Sequence, residues 1–388
     1  MSPREQTAQP MAGSRSPRRV GLVGPLAPPA GGMANQTRQL AWLLREAGIE
    51  VELVQVNAPY KPAWIERVRV LRAAFRLLPY LARLWRCAGT VDLMHVMANS
   101  GWAWHLYAAP AVWLARWRGT PVVVNYRGGS ADAFLQAQKR WVRPTLRRAN
   151  CVAVPSGFLH AVFARHGINT EIVPNIVDLA RFSPTTQPRG AAQSGPHLIV
   201  TRNLEPLYDV ATALEALVLI RAEAPHARLS IAGSGPLRHQ LEARCRELGI
   251  ADAVRFTGRL DPEGMAALYR AADVMLNPSR VDNMPNSVLE AFASGVPVVS
   301  TNVGGIPYFV EHGKTALLVA PNDPAAMAQA ALRLVRDPLL AAALRANALW
   351  ATTAYSWPNV RARLFEVYAA AVLHGAPQRP LSRGGDAP

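Results

Sequence analysis

The sequence predicts an α/β protein made of two doubly wound units in tandem, each a parallel sheet covered by helices. Short runs rich in Val, Ile and Leu alternate along most of the chain with longer segments whose apolar residues recur every three or four positions. One stretch rich in Pro, Gly, Thr and Gln, at 178–196, interrupts this alternation and is the predicted boundary. Two packed cores also suit a chain of 388 residues of which 50% are hydrophobic.

The first unit, predicted at 20–178, begins with the strand "RVGLVG". A helix follows in "ANQTRQLAWLLREAG", where Gly48 is the predicted C-cap. The further predicted strands of this unit are "VELVQVN", "DLMHVMA", "PVVVNYR" and "CVAVPS". Strands that alternate with helices in this way predict a parallel sheet with helices on both faces.

The second unit, predicted at 197–356, repeats the pattern. Its predicted strands are "HLIVTR", "ARLSIAG", "AVRFTG", "DVMLNPS" and "PVVST". Its predicted helices are "DVATALEALVLIRAEAP", "PLRHQLEARCRELG", "EGMAALYRAA" and "NSVLEAFASG". A ligand is expected at the carboxyl ends of the strands, in a cleft where the two units face each other. Residues 1–19 and 375–388 lack periodicity, so we expect disordered tails there.

The charge of the chain is strongly basic and is concentrated in the first half. The net charge is +16, and residues 1–178 carry 22 Lys and Arg against 9 Asp and Glu. Such an excess favours anionic partners, and no recognised nucleic-acid module is present, so we expect no nucleic-acid partner. The stretch "AWIERVRVLRAAFRLLP" at 63–79 is basic and amphipathic. It suits peripheral contact with an anionic membrane, and it equally suits packing on the sheet with solvated arginines.

The cysteines and the apolar runs bear on the compartment. Cys87, Cys151 and Cys245 lie far apart, are odd in number and match no metal-ligand spacing. They suit a reducing cytosol. No apolar run approaches the roughly 18 to 20 residues that a membrane-spanning helix needs. We therefore expect a cytoplasmic protein that works at the inner face of the cell membrane.

The stretch "SRVDNMPNSVLEAFASGVPVVSTNVGG", residues 279–305, has the features of a working site. Asp282 lies on a loop after a predicted strand, and Glu290 lies about one turn into the following helix. The first helical N–H groups, at Asn286, Ser287, Val288 and Leu289, favour an anion such as a diphosphate. Paired carboxylates are suitable acceptors for sugar hydroxyls. In the alternative interpretation Asp282 caps the loop and Glu290 is a solvated helix residue.

This stretch resembles the Glu-x7-Glu segment of family 4 glycosyltransferases, which are retaining nucleotide-sugar enzymes of the GT-B fold. The resemblance extends over nearly the whole ordered chain. It includes "PPAGGMANQTRQLAWLLREAGIEVELVQVN", "VPSGFLHAVFARHGI", "VPNIVDLARFSP", "ARLSIAGSGPLRHQLE", "VRFTGRL", "ALYRAADVMLNPS" and "EAFASGVPVVSTNVGGIPYFVEHGKTALLVAPND". The fold that it implies is GT-B, with two Rossmann-like domains facing across a cleft.

The resemblance also implies roles for particular residues of the second unit. Glu290 matches the carboxylate that holds the ribose hydroxyls, and Asp282, in place of the usual Glu, matches the one that contacts the transferred sugar. Arg202 matches the arginine that neutralises the donor diphosphate, a role in which a guanidinium stabilises leaving-group charge. A lysine usually follows in that loop, where this chain has Pro206. Gly235, in a glycine turn, and Arg259 and Leu260, after "FTG", are the further predicted donor-binding residues.

In the first unit two glycine pairs are the predicted binding elements. Gly31 and Gly32 are expected to form a loop with unhindered N–H groups that face the cleft, or else an ordinary flexible loop. In the family that the chain resembles, this loop closes on the donor diphosphate and the acceptor. Arg127, Gly128 and Gly129 are predicted on the acceptor side. Arg127 stands where relatives often carry histidine, and it either binds a phosphate or forms a buried structural salt bridge. In relatives the last helix, here 357–374, packs back on the N-terminal domain.

The predicted function is therefore sugar transfer. We expect a sugar to move from a nucleotide-diphosphate-sugar to a hydroxyl of a saccharide or lipid-linked acceptor, with retention, in the synthesis of cell-surface polysaccharide or glycolipid. No Asp-x-Asp motif is present, so we expect no metal and no other cofactor. Two other interpretations remain open: a non-transferring nucleotide-sugar enzyme of the epimerase type, and an inactive membrane-attached binding subunit.

Overall fold

The computed structural model describes residues 16–28, 31–59, 69–185 and 195–375. Two compact units divide the chain. Of the described residues, the first contains those up to Tyr126, then Phe134–Ala153 and those from Arg363, and the second contains Arg127–Ala133 and those within Val154–Ala362. A segment belongs to the unit against which it packs, so the chain passes between the units four times, where the sequence predicted one linker and a returning helix. The larger parts of the predicted tails, residues 186–194 of the predicted boundary and residues 63–68 of the predicted amphipathic stretch lie outside the described residues.

The first sheet has six strands in the order β2-β1-β3-β4-β5-β6. They are β1 (Arg19–Gly24), β2 (Glu50–Gln55), β3 (Leu93–Ala98), β4 (Val122–Tyr126), β5 (Cys151–Val154) and β6 (Glu171–Ile172). The associated helices are α1 (Gly32–Glu46), α2 (Arg69–Ala88), α3 (Ala109–Trp117), α4 (Ala131–Ala137), α5 (Lys139–Leu146) and α6 (Gly157–Arg165). The ladders that join β1, β2, β3, β4 and β5 are parallel. Gly48 has φ +82, as expected for the glycine that follows the end of α1.

Helix α2 continues beyond the end that its sequence pattern predicts. Pro79 lies inside the helix, and a proline there removes a backbone hydrogen bond at a cost of roughly 3 kcal/mol. The following turns bury Tyr80, Leu84 and Cys87 in the first unit. Burial of these side chains offsets the cost of the proline, so the helix ends at Ala88.

The second sheet has six strands in the order β12-β11-β10-β7-β8-β9, and its ladders are parallel. The strands are β7 (His197–Val200), β8 (Arg228–Ala232), β9 (Val254–Gly258), β10 (Val274–Asn277), β11 (Val298–Thr301) and β12 (Leu317–Val319). The helices are α7 (Val210–Glu223), α8 (Arg238–Glu247), α9 (Pro262–Ala271), α10 (Asn286–Ala293), α11 (Pro324–Arg336), α12 (Pro338–Thr352) and α13 (Trp357–Gly375). Two apolar clusters form the core of this unit, and strands β7, β10 and β11 contribute to both. The predicted α/β fold with two doubly wound sheets is confirmed.

The C-terminal half of α13 belongs to the first unit. There the hydroxyl of Tyr368 lies 2.7 Å from Nδ1 of His95, which is fully buried on β3. The other ring nitrogen of His95 lies 3.2 Å from Nδ2 of Asn125 on β4. Both ring nitrogens of His95 therefore have hydrogen-bond partners, as buried polar atoms require. Within the residues that the structure describes, none of the helices has the length and apolarity that crossing a bilayer requires.

Candidate active site

Four loops of the second unit meet at the carboxyl ends of β7, β8, β9 and β10. Leu204, after β7, donates its N–H to the carbonyl of Ser234, after β8, at 3.1 Å. Gly233 donates to the carbonyl of Gly258, at the end of β9, at 2.9 Å. These strands are neighbours in the sheet, so the loops that follow them lie at one edge, where ligands bind in open α/β sheets.

Close packing of these loops explains the glycine turn "AGSGP". A Cβ on Gly233 would collide with the carbonyl oxygen of Arg202, and one on Gly235 would collide with that of Leu204. Only glycine allows the loops after β7 and β8 to approach this closely. The predicted contact of Gly235 with a donor stays a prediction, because the neighbouring backbone already requires a glycine at this position.

Arg202 is held in one orientation by side chains from three segments. Its Nη2 lies 2.5 Å from Oδ2 of Asp282, and its Nη1 donates to Oγ of Ser287 at 3.2 Å. The guanidinium carbon lies 4.0 Å from the centre of the Tyr208 ring. Nε of Arg202 is buried and has no hydrogen-bond partner among the described residues. A buried donor without a partner is costly, so this atom is a candidate contact for an anionic ligand.

Asp282 is buried beside this guanidinium. Burial raises the pKa of its carboxyl group above the usual value, while Arg202 and the hydroxyl of Ser279 oppose that rise. The carbonyl of Asp282 accepts the N–H of Gly305 at 2.8 Å. The backbone of Gly304 and Gly305 therefore packs directly against the backbone of the Asp282 loop, which leaves no room for a Cβ at either position. This packing explains the glycine pair that ends the stretch 279–305.

Glu290 lies one turn into α10 with a tyrosine as its neighbour. The hydroxyl of Tyr269 lies 3.1 Å from Oε2 of Glu290 and 2.9 Å from Oγ1 of Thr201, and it is also 3.0 Å from the carbonyl oxygen of Ser287. Burial raises the pKa of Glu290 to about 7, and the Tyr269 hydrogen bond moderates that rise. The carboxyl group therefore changes charge near neutral pH in the free protein.

The start of α10 is tied to Arg127 through one asparagine. Helix α10 begins at Asn286, after Pro285, without a side-chain cap. Nδ2 of Asn175 donates to Oδ1 of Asn286 at 2.7 Å and to the carbonyl of Met284 at 2.8 Å. Its Oδ1 accepts a hydrogen bond from Nη1 of Arg127. Burial lowers the pKa of Arg127 to about 10, so the side chain remains a cation at neutral pH.

The glycines after Arg127 differ in their surroundings. The carbonyl of Gly128 accepts a hydrogen bond from Nδ2 of Asn283 at 2.8 Å, whereas Gly129 is exposed. Gly31 and Gly32 belong to the first unit, where they precede and begin α1. A Cβ on either would meet no described atom within 4 Å, so local packing does not account for glycine there. Their predicted contact with a ligand stays a prediction.

The remaining predicted positions lie near the same loops. Nε of Arg259 donates to Oγ of Ser234 at 2.6 Å, and Leu260 is half-buried beside it in the chain. Pro206, at the position where a lysine was expected, begins a short 3-10 turn that ends at Tyr208. In the described parts of the chain, no three His, Cys, Asp or Glu side chains are grouped as metal ligands. Metal-independent transfer stays a prediction.

Two family models match the two halves of the chain. Residues 30–181 match the model described as Glycosyltransferase Family 4, and residues 195–337 match the model described as Glycosyl transferases group 1. Together these matches span most of the sequence. The chain is a glycosyltransferase of the family 4 type.

Relatives of the glycosyltransferase agree with this assignment. A glycogen synthase of Mycobacterium tuberculosis is 28% identical over 383 residues, which cover 88% of this chain and 91% of that protein. A D-inositol 3-phosphate glycosyltransferase of Actinosynnema mirum is 34% identical over 230 residues, covering 55% of this chain and 54% of that protein. The crystal structure of Anabaena HepE in complex with UDP-glucose has a TM-score of 0.71 at 19% identity, covering 91% of this chain and 99% of that one. That likeness shows the predicted GT-B fold.

In the glycosyltransferase Arg202 contacts Asp282 and Ser287, and Glu290 lies on the same helix as Ser287. The roles predicted for these four residues stay predictions. The sequence reading did not assign functions to Tyr208, Tyr269 and Asn175, whose side chains orient those residues. Tyr269 and Asn175 stand within the stretches "ALYRAADVMLNPS" and "VPNIVDLARFSP", so the resemblance carried a signal for both. Tyr208 had no such signal, because its role depends on stacking against Arg202.

Proposed function

We propose that the chain transfers a sugar from a nucleoside-diphosphate sugar to a hydroxyl of a saccharide or lipid-linked acceptor. In this proposal transfer proceeds with retention at the anomeric carbon, needs no metal ion or other cofactor, and serves the synthesis of cell-surface polysaccharide or glycolipid at the inner face of the membrane. The observation that carries it is the fixed guanidinium of Arg202 beside the first turn of α10, with its Nε buried and unpartnered.

Arg202 and α10 are suited to a diphosphate. The leaving nucleoside diphosphate gains negative charge as the bond to the sugar breaks, and a positioned guanidinium stabilises that charge. Asp282, Ser287 and Tyr208 hold Arg202 in place, so little entropy is lost when the phosphate binds. The N-terminus of α10 adds a partial positive charge at the same place.

Glu290 and Asp282 have different roles in the proposal. Glu290 accepts hydrogen bonds from the ribose hydroxyls, and Tyr269 orients its carboxylate. Asp282 contacts the transferred sugar, and its ion pair with Arg202 gives it a second role in positioning the guanidinium. A carboxylate is the better acceptor, so donor binding is expected to favour the ionised form of Glu290.

The named relatives suggest the substrate classes to test. The proteins most similar over long stretches include a glycogen synthase and a D-inositol 3-phosphate glycosyltransferase, and HepE binds UDP-glucose. By analogy we propose a nucleoside-diphosphate hexose as the donor, and a carbohydrate or polyol hydroxyl as the acceptor. The aspartate at 282, shorter by one methylene than the usual glutamate, is the residue with which we expect the sugar specificity to vary.

A donor screen followed by a transfer assay tests this function. The full chain is incubated with UDP-, GDP- and ADP-hexoses, and the sugar nucleotide that raises its melting temperature is the donor. Nucleoside diphosphate release is then measured with and without saccharide and lipid-linked acceptors, and proton NMR gives the anomeric configuration of the product. Diphosphate release that depends on acceptor, with an unchanged anomeric configuration, is the expected result.

Two variants test whether Arg202 belongs to the site. Arg202→Ala is expected to abolish the donor-induced rise in melting temperature and to lower transfer by about 100-fold or more. Arg221→Ala removes an arginine from an ion pair with the exposed Asp252, so it serves as the matched control and is expected to transfer normally. Donor conversion to an epimer without acceptor, or full activity in Arg202→Ala, would refute the proposal.

A further inference from the structure

Helices α2, α3 and α5 of the first unit carry a surface in which exposed tryptophans alternate with arginines. We call it the tryptophan–arginine surface, and its indoles are Trp85, Trp113, Trp117 and Trp141, all exposed. Residues 69–88, 109–118 and 139–148, which include the three helices, contain twelve Lys and Arg and no Asp or Glu. The sugar-transfer site of the second unit uses none of these residues, so it does not explain the surface.

An apolar groove of about 890 Å³ opens on this surface. Leu81 and Trp85 of α2 line it together with Leu114 and Trp117 of α3. The rings of Trp85 and Trp117 meet edge to face, with their centres 5.8 Å apart. A groove with apolar walls of this kind suits a hydrocarbon chain, because it offers few hydrogen-bond partners to a polar ligand.

Arginines stack on the indoles that border the groove. The guanidinium carbon of Arg148 lies 3.8 Å from the centre of the Trp113 ring, and that of Arg118 lies 4.7 Å from the Trp85 ring. A Cβ on Gly89 would collide with the Arg118 guanidinium, so glycine leaves room for this stacking. Each stacked pair places a cation directly over an indole, so a group that can contact phosphate lies next to the apolar groove.

The apolar part of the surface continues along α2. Phe75 and Leu78 are exposed on this helix, Leu78 to 66%, and they lie one turn apart. Trp85 follows two turns after Leu78 on the same face. A row of large apolar side chains that crosses the exposed face of a basic helix is typical of a helix lying in a membrane interface.

Charge decides between the occupants that such a surface allows. In a symmetric dimer through this surface its exposed cations would meet their own copies, and the three segments contain no carboxylate to balance them, so a second copy of the chain is disfavoured. Single-stranded nucleic acid would use the indoles for stacking, but it would leave the groove and the exposed Phe75 and Leu78 without an apolar partner. An anionic bilayer offers phosphates to the cations and hydrocarbon to the apolar side chains.

We propose that the tryptophan–arginine surface binds anionic phospholipid, with the arginines contacting headgroup phosphates, the indoles at the interface, and one acyl chain in the groove between α2 and α3. The inference gives a structural basis to the membrane location in the proposed function, and it does not depend on sugar transfer. It gives the first unit an independent function, namely attachment to a membrane surface.

Vesicle flotation of the full chain tests the proposal. Wild type is expected to float with vesicles of phosphatidylcholine that contain phosphatidylglycerol, and high salt is expected to release it. With vesicles of pure phosphatidylcholine it is expected to remain in the bottom fraction. Trp117→Ser removes an indole that is 79% exposed and is expected to weaken binding about tenfold. Trp350→Ser removes an indole that is 78% exposed on α12, in the second unit, and is expected to change nothing.

A charge variant gives a second, independent comparison. Lys139→Glu with Arg147→Glu reverses two exposed cations of the surface and is expected to weaken vesicle binding about 30-fold or more. Arg255→Glu with Arg361→Glu makes the same change of net charge on exposed residues of the second unit, and it is expected to reduce binding far less. If both double variants lost vesicle binding equally, net charge alone would attract the protein to the membrane, and the assignment of binding to the tryptophan–arginine surface would be overturned.

Three further readouts keep the result specific to lipid. All variants are expected to keep the wild-type melting temperature, so that lost flotation is not lost folding. Binding of a single-stranded RNA oligonucleotide that Trp117→Ser abolishes, without vesicle binding, would overturn the lipid assignment. So would a wild-type dimer in sedimentation velocity that Trp117→Ser converts to monomer in the absence of vesicles.

Discussion

Replacing Gly304 by Ala should weaken both the fold and donor binding, because the glycines after β11 pack on the backbone that carries Asp282. Gly304 has φ +52, in the left-handed region, and a Cβ there would overlap the carbonyl oxygen of Asp282. The next residue, Gly305, donates its N–H to that same oxygen. Any shift that relieves the overlap therefore moves the loop that holds the Asp282 carboxylate beside Arg202.

Two costs contribute to the expected loss of stability. The left-handed conformation costs alanine roughly 1–2 kcal/mol relative to glycine. To reach an ordinary contact distance, the Asp282 carbonyl must also retreat by about 1 Å, and overpacking of this kind costs roughly 1–3 kcal/mol. The free energy of unfolding should therefore fall by roughly 2–5 kcal/mol.

Gly313→Ala is the matched control, since Gly313 has φ +73 and a Cβ there would meet no described atom within 4 Å. This variant should show only the conformational cost of roughly 1–2 kcal/mol and should bind donor as wild type does. Urea unfolding gives the free energies, and isothermal titration with the identified nucleotide sugar gives the affinities. Equal losses in the two variants, or unchanged donor affinity in Gly304→Ala, would refute the reasoning.

The carboxylates and their partners give three more predictions. Burial raises the pKa of Glu290 from 4.5 to about 7, so ionisation of this group lowers the stability of the fold as pH rises between these two values. Glu290→Gln should therefore gain about 2.5 kcal/mol of stability relative to wild type between pH 5 and pH 8 in urea unfolding. Arg202→Ala leaves Asp282 buried without its cation and should cost about 3–5 kcal/mol, whereas adding Asp282→Ala should recover part of that loss in a double-mutant cycle. Tyr269→Phe removes the hydroxyl beside Glu290, so the pH midpoint of donor affinity, followed by titration calorimetry, should move upward.

The sequence predicted the fold because its signals are local and repeated. Each parallel strand is a short apolar run, and each helix has its own three- and four-residue spacing, so neighbouring residues decide the type of element. The start of α10 at Asn286 and the positions of Asp282 before it and Glu290 within it followed from such local signals. Local signals failed at β6 and β12, which have two and three residues, too few to show a pattern.

Distant contacts were beyond the reach of those signals. The sequence identified Arg202 and Asp282 as separate candidates, but their ion pair joins residues 80 positions apart and exists because β10 lies next to β7. Local signals also did not predict that Pro79 lies inside α2, because the helix continues there only through the burial of later side chains. Nor did they predict that Tyr269 of α9 contacts Glu290 of α10. The sequence by itself determined the elements and the residue types of the site. The tertiary structure decided which charges neutralise one another and how deeply each is buried, because both depend on the order of strands in the sheet.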